Sequence, residues 1–164
     1  MNNRCLSFVA VLAGAALLGA CNQNPDPAKI QADVIKAQAA GQKNIADAQA
    51  NLDKVNAQNT KDMVNAQVDA RAPAADNQPT NPSAAQDMSN AHTQASDKTA
   101  DAQYDLDKVR AKAAEEVAEA KCEAQTGSAE DACNAAAKSQ YDAAVAQAKS
   151  INDAAHKRDQ VARN

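Results

Sequence analysis

The side chains that could do chemistry in this chain are four cysteines, two histidines and a short row of aspartates. Thiols form disulfides, bind metal or take a covalent modification, and histidines serve as acid–base groups or metal ligands. Asp97, Asp101 and Asp105 recur every four residues, which places three carboxylates on one helical face. We interpret this row as a solvated helix face rather than a cation site. His92 and His156 are interpreted as isolated surface histidines.

The sequence lacks the usual patterns of catalytic and metal sites. It shows no Ser, His and Asp set and no glycine-rich phosphate loop, and the whole chain has four glycines. Cys122 and Cys133, with ten residues between them, fall short of a zinc set because no histidine cluster accompanies them. The sequence therefore predicts neither an enzyme nor a metal site, and it indicates no cofactor and no small-molecule substrate.

The N-terminus has the layout of a secretory signal. A short polar start with Arg4 precedes an uncharged run over residues 5–20, which ends in small residues. A membrane-spanning helix needs roughly 20 apolar residues, and this run is shorter. We therefore predict a cleaved signal rather than a transmembrane helix.

The four residues LGAC at positions 18–21 resemble the lipobox of bacterial lipoproteins. The resemblance implies cleavage between Ala20 and Cys21, so that residues 1–20 are the signal peptide. It also implies a diacylglyceryl thioether on Cys21 and an amide-linked third acyl chain, and two or more chains anchor a protein stably. Because Asn22 follows the cysteine, the sorting rule of enteric bacteria predicts the outer membrane, with the body facing the periplasm. An ordinary secreted protein is the alternative.

The composition of the mature chain limits both its core and its partners. Loss of Arg4 with the signal leaves 16 basic and 21 acidic residues, a net charge of −5. Such an acidic chain is a poor ligand for nucleic acid. The remaining aromatic residues are Tyr104 and Tyr141, so little apolar surface is available to offset the entropy of folding. By composition the chain lies between an alanine-rich helix and a disordered polar segment.

An internal repeat predicts the architecture. The segment ADAQANLDKVNA at 46–57 shares nine of twelve residues with ADAQYDLDKVRA at 100–111, an offset of 54 residues. The same offset relates two stripes whose steps of three and four residues mark one helical face and repeat after eleven residues. Gly41 and Asn59 interrupt the first stripe, and we expect fraying near them. The first stripe consists of Val34, Ala37, Gly41, Ile45, Ala48, Leu52, Val55, Asn59, Met63 and Ala66, and the second of Met88, Ala91, Ala95, Thr99, Ala102, Leu106, Val109, Ala113, Val117 and Ala120.

These patterns predict an all-α fold of long alanine-rich helices. Prolines set the boundaries because proline favours the first turn of a helix and breaks its interior. The helices form an antiparallel hairpin or a three-helix coiled-coil-like rod that is partly disordered, and a bent arrangement is equally allowed. The predicted segments are a lipidated tether at 21–26, helix one at 27–72, a proline-rich linker at 73–81, helix two at 82–127 and helix three at 128–164.

With the other two cysteines assigned to the signal and the lipid, Cys122 and Cys133 remain as an even pair in an oxidising compartment. They flank a turn in which we predict that Gly127 caps helix two and Ser128 caps helix three. The spacing favours a disulfide that staples the two helices, with an interchain bridge or free thiols as alternatives. Segment 120–149 resembles a Cys-x10-Cys module of uncharacterised proteobacterial envelope proteins, and this implies no activity. The predicted stripe of helix three is Tyr141, Ala144, Ala148, Ile151 and Ala155.

Two functions from different classes fit the sequence. The first is a lipid-anchored structural or interaction protein of the cell envelope that presents a helical rod in the periplasm. Its partners are the membrane, through the lipid on Cys21, and either further copies of itself or periplasmic envelope proteins. The alternative is a stress-protective hydrophilic protein, since alanine-rich chains with an eleven-residue rhythm resemble the late-embryogenesis-abundant class.

Overall fold

The computed structural model of the chain describes residues 25–71 and 82–163. The predicted signal peptide, most of the tether and the whole proline-rich linker lie outside these residues. The described residues contain helices and no strand, so the predicted all-α fold is confirmed. The three helices are α1 (Pro27–Arg71), α2 (Pro82–Cys122) and α3 (Ser128–Arg163).

Helix α2 is the centre of an open layer. Helix α1 runs antiparallel to it, since Gly41 lies beside Ala113 and Asn59 beside Ala95. Helix α3 also runs antiparallel to α2 and packs along another face. Within the described ranges no Cα of α1 lies within 8 Å of a Cα of α3. The fold is therefore a row of three helices and not a closed bundle.

The two copies of the repeat face each other across the α1–α2 interface. Leu52, Ala102 and Leu106 form a buried cluster, against which Ile45, Ala48 and Val55 pack. The repeat offset relates Leu52 to Leu106, so each copy supplies one leucine. The offset also relates the Gly41–Ala113 pair to the Ala95–Asn59 pair. The hairpin thus has an internal pseudo-twofold axis.

Both predicted stripes of the repeat lie mainly in this interface. Their members are buried or half-buried except Met63 and Met88, which are exposed. Gly41 and Asn59 are among the buried residues of α1, and the helix is continuous through them, so the expectation of fraying there was wrong. Glycine permits close approach of the backbones at one position, and asparagine bonds across the interface at the other.

Only part of the stripe predicted for α3 is buried. Ala148 is buried and Tyr141 is half-buried, whereas Ala144 and Ile151 are exposed. Asn152, next to Ile151, takes the interface position instead because its side-chain amide bonds to α2. The prediction that Ile151 lies in the interface was wrong because this part of α2 is polar: the Ala100 carbonyl and the Asp101 carboxylate accept hydrogen bonds there.

Helix α2 ends at Cys122, five residues earlier than predicted. The N–H groups of Ala124 and Gln125 bond to carbonyls three residues back, at 3.2 and 2.9 Å, which tightens and closes the helix. Gly127 has φ +61° and its carbonyl accepts the N–H of Asp131 at 3.1 Å. Gly127 therefore caps the start of α3 rather than the end of α2, and the capping role predicted for Ser128 was wrong.

We predict that Gly41→Ala lowers the free energy of unfolding by about 1 kcal/mol. Alanine exceeds glycine in helix propensity by about 1 kcal/mol. A Cβ at position 41 would, however, stand 2.8 Å from the Ala113 Cβ, which cannot rotate away. Overpacking of this kind costs about 1–3 kcal/mol. Urea denaturation followed by circular dichroism measures the change.

The reference for this test is the double variant Gly41→Ala with Ala113→Gly, which moves the methyl group to the opposite helix. The double variant should recover part of the stability lost in Gly41→Ala, as a coupled pair in contact requires. An increase in stability in Gly41→Ala alone would contradict the close packing.

Candidate functional site at the stapled end and the acid–histidine cluster

A disulfide closes one end of the α2–α3 pair. Cys122 is the last residue of α2 and is almost fully buried, and Cys133 lies in the second turn of α3. The two are joined, with their Cα atoms 5.6 Å apart. The pair that the spacing favoured is therefore the pair that the structure joins. The bond sets α3 in register with α2 near the turn.

The chain enters α1 at this same end. Lys29 forms an ion pair with Glu123 of the α2–α3 turn at 3.2 Å. Pro25, Ile30 and Val34 line a shallow apolar cavity of about 510 Å³ together with Ala124 of the turn. The start of α1 and the disulfide turn thus form one surface, which we call the stapled end.

Local hydrogen bonds begin α1 at this surface. The Asp26 carboxylate accepts the backbone N–H of Ala28 at 2.9 Å, and the Asp26 carbonyl accepts that of Ile30 at 3.0 Å. Asp26 is therefore an N-cap, and Pro27 occupies the first helical position, where its missing N–H costs nothing.

A second cluster joins α2 and α3 farther from the turn. The ring of His156 lies between two carboxylates of α2, with Nδ1 2.8 Å from Asp97 Oδ1 and Nε2 2.8 Å from Asp101 Oδ1. The Asn152 amide donates to Asp101 Oδ1 at 2.9 Å. The sequence-based interpretation of His156 as an isolated residue was therefore wrong, because both carboxylates pair with it. The interpretation of the aspartate row as solvated was wrong for Asp97, which is half-buried, whereas Asp101 is exposed but paired.

The helix register that the disulfide imposes predicts where this cluster lies. Antiparallel helices joined at Cys122 and Cys133 place His156 level with position 99, midway between Asp97 and Asp101. Side chains on either side of that level can then reach both ring nitrogens. The aspartate spacing alone could not show this, because it leaves open what the helix packs against.

The geometry favours the doubly protonated imidazolium. Both ring nitrogens face acceptors, and a nitrogen donates only when it carries a proton. The hydrogen bond with Asp101, followed by that with Asp97, raises the pKa of His156 above its ordinary value of 6.5. The hydrogen bond from Asn152, followed by that with His156, lowers the pKa of Asp101 below 3.8. The cluster, which we call the His156 clamp, is therefore a group of opposite charges that joins α2 to α3. Its imidazolium has no unprotonated nitrogen that could act as a general base.

A polar network also crosses the α1–α2 interface. Asn59 is 5% exposed, and its amide nitrogen donates to the Ala95 carbonyl at 2.8 Å and to Thr99 Oγ1 at 3.0 Å. Thr99 Oγ1 donates in turn to Asn56 Oδ1 at 3.0 Å. The buried residues of α2 at this interface include the small residues Ala95, Ala102 and Ala113, and a buried asparagine specifies register where small residues do not.

No family model, curated protein or solved structure matches the chain. None of the described helices is long and apolar enough to cross a membrane. In the part of the chain that the structure describes, no group of three or more His, Cys, Asp and Glu side chains is arranged to hold a metal ion. The predicted cleavage and lipidation residues, Ala20 and Cys21, lie outside the described residues.

We predict that the free energy of unfolding is higher at about pH 5 than at about pH 9, with His156 responsible for much of the difference. Its folded pKa is raised, so its contribution is complete below 6.5 and is lost as pH rises through the folded value. Urea denaturation at the two pH values measures the difference. It should shrink in His156→Gln and persist in His92→Gln, which changes an exposed histidine of α2. An equal pH difference in both variants would contradict the clamp.

We predict that reduction of the disulfide lowers the free energy of unfolding by about 3 kcal/mol in the chain-entropy model. The bond closes a loop between residues separated by 11 positions. A thermal melt with and without reductant measures the loss, together with faster proteolysis in the turn at 123–127. The reductant should have no effect on the double variant Cys122→Ser, Cys133→Ser. An unchanged melt of the native chain under full reduction would refute the prediction.

Proposed function

We propose that this chain is a lipid-anchored structural or interaction protein of the bacterial cell envelope, held at the outer membrane and facing the periplasm. The motif LGAC at 18–21 supports the anchor. One structural observation carries the rest of the proposal: the chain enters the helical body at the stapled end, beside the disulfide turn.

This placement determines which end of the body a lipid on Cys21 would hold near the membrane. Three residues lie between Cys21 and Pro25. The four Cα-to-Cα steps span at most about 3.6 Å each in an extended chain, so the anchor would lie within about 14 Å of the stapled end. The covalently closed end of the molecule would thus be the membrane end. A disulfide also suits the oxidising periplasm.

The remainder of the described body consists of extended helix surfaces. Its three helices are long, with 45, 41 and 36 residues, so that α1 alone extends for about 68 Å. The charged groups of the His156 clamp are paired with one another. Extended helical faces of this kind bind other helices or proteins.

Contacts between residues distant in sequence argue against the stress-protective alternative. A chain selected to stay unfolded in dilute buffer gains little from a disulfide or from residues that bond across two helix interfaces. The His156 clamp and the Asn59 network both join residues more than 35 positions apart in sequence, which favours a folded body. We therefore place the stress-protective function second.

The test of the anchor uses the full chain, produced in a Gram-negative host with an alkyne analogue of palmitate. The native chain should incorporate the label and fractionate with outer membranes, because the thiol of Cys21 is the acceptor. Cys21→Ser should lose the label and the membrane association, and an inhibitor of the lipoprotein signal peptidase should cause the unprocessed form to accumulate. Cys5→Ser is the matched control and should behave as the native chain. Equal labelling of the native and Cys21→Ser chains would refute lipidation at Cys21.

A further inference from the structure

We infer that the first three turns of α1 lie against the lipid bilayer through the apolar cavity at the stapled end, so that the anchored body leans on the membrane instead of standing upright. This contact rests on the proposed function, since the lipid on Cys21 brings the body to the membrane. It adds a bilayer-contact surface on the folded body, which a lipid anchor alone does not require.

The cavity exists because α2 ends before it reaches the start of α1. Gly41 lies beside Ala113 and the two helices are antiparallel, so Cys122 at the end of α2 is level with about position 32 of α1. Ile30 is therefore level with the turn and has no helix opposite it. The apolar lining, which we call the entry groove, consists of Pro25, Pro27, Ile30, Val34, Ile35 and Ala124, and its volume is about 510 Å³.

Much of the entry groove is open to solvent. Ile35 is 57% exposed, and Pro27 and Ala124 are also exposed, whereas Ile30 and Val34 are half-buried. A contiguous group of exposed apolar side chains is typical of a surface that meets a partner or a membrane. Two glutamines, at positions 31 and 38, complete the lining, and their amides can donate to phosphate or ester oxygens of lipid headgroups.

Charge lies on the opposite side of these turns. The residues that line the entry groove carry no charge. The charged residues Lys29, Asp33 and Lys36 each lie two positions from a lining residue, which corresponds to a rotation of about 200° around the helix. Lys29 also binds Asp33 at 2.8 Å and Glu123 at 3.2 Å on that side. A helix that lies in a membrane interface has this arrangement, with its apolar face in the lipid and its charged face in water.

The chain outside the described body begins at the entry groove. Pro25 lines the groove, and the four Cα-to-Cα steps back to Cys21 span at most about 14 Å. The headgroup region of one leaflet is about 5–8 Å thick, because a bilayer of about 40–45 Å has a hydrocarbon core of about 30 Å. A lipid on Cys21 would therefore hold Pro25 in the headgroups or just above them.

The length of α1 distinguishes a leaning body from an upright one. Ile35 lies eight residues, or about 12 Å, along the helix from Pro27. In an upright body Ile35 would be in water, above the headgroups. In a leaning body it reaches the headgroup boundary together with the rest of the entry groove, and the charged side of the same turns stays in water.

The partner is the surface of a zwitterionic bilayer and not an anionic headgroup. Residues 26–36 and 121–131, which surround the entry groove, carry three basic and five acidic side chains. Attraction to anionic lipid requires an excess of basic residues, so burial of apolar side chains must supply the contact. Replacing part of the phosphatidylcholine with phosphatidylglycerol should therefore not strengthen it.

The test uses tryptophan as a depth probe, because the chain contains no tryptophan. The full-length variant Ile35→Trp is produced in a Gram-negative host and its processed form is reconstituted at low density into phosphatidylcholine vesicles. The indole emission should shift to the blue, and bromine on the lipid chains near the headgroup should reduce it about twofold or more, since an interfacial helix is buried by about 5–10 Å. Val64→Trp is the matched control, because Val64 is 51% exposed and lies about 44 Å farther along α1. It should show neither effect.

A second pair of variants tests whether the apolar groove causes the contact. Gln38→Trp places the probe at another lining residue, and Ile35→Asp in that background should abolish most of the quenching because it puts a charge into the apolar face. Val64→Asp in the same background should leave the quenching unchanged. Circular dichroism checks that each variant keeps its helix content, which is expected because Ile35 and Val64 are both exposed.

Failure of the anchor and failure of the contact give different results. The mass of the purified chain reports lipidation, and the tryptophan reports the contact. A lipidated chain whose emission at position 35 is quenched no more than at position 64 would overturn the contact and leave the anchor intact. A blue shift without quenching would also overturn it, because the groove would then hold an acyl chain of the protein's own lipid instead of the bilayer.

A chemical anchor decides the contact even if the chain proves to be unlipidated. In the mature chain from Cys21 onward, Cys122 and Cys133 are joined, so the Cys21 thiol can be coupled to a maleimide phospholipid in the same vesicles. Quenching of Ile35→Trp in this preparation would support the contact although the proposed lipidation had failed. Absence of quenching would overturn the contact.

Discussion

The close approach of helix backbones across alanine and glycine is the constraint on which this structure depends. Leu106 and Cys122 are the largest fully buried side chains among the described residues, so no bulky core holds the helices together. Each alanine buries little apolar area, and stabilisation by burial scales with that area at about 25 cal/mol per Å². The helices must therefore approach closely along their full length, as Gly41 and Ala113 do.

Interfaces made of small residues leave helix register weakly specified, because a helix can slide past a row of alanines at little cost. Three different interactions supply the missing specificity. The Asn59 network fixes α1 on α2, the disulfide fixes one end of α3, and the His156 clamp fixes α3 farther along. Each joins groups that only one register brings together. The polar residues in these interfaces thus add specificity to that of the Leu52–Leu106 cluster.

The duplication explains both the symmetry of the hairpin and its unused surface. Two copies of one helical segment pack antiparallel around a pseudo-twofold axis, and each copy has a second face on the side away from the hairpin interface. On α2 this second face is covered by α3, whereas on α1 it is exposed.

The sequence by itself determined the helices, the repeat and the cysteine pair, because these depend on local periodicity and spacing. The eleven-residue rhythm placed most of the α1–α2 interface correctly, including Leu52 and Leu106. Only the tertiary structure decided that α2 ends at Cys122, that Asn152 rather than Ile151 faces α2, and that His156 lies between two carboxylates. These features depend on which residues of different helices lie level with one another. Periodicity within one helix carries no information about that register, and the contacts that set it form only when the helices pack.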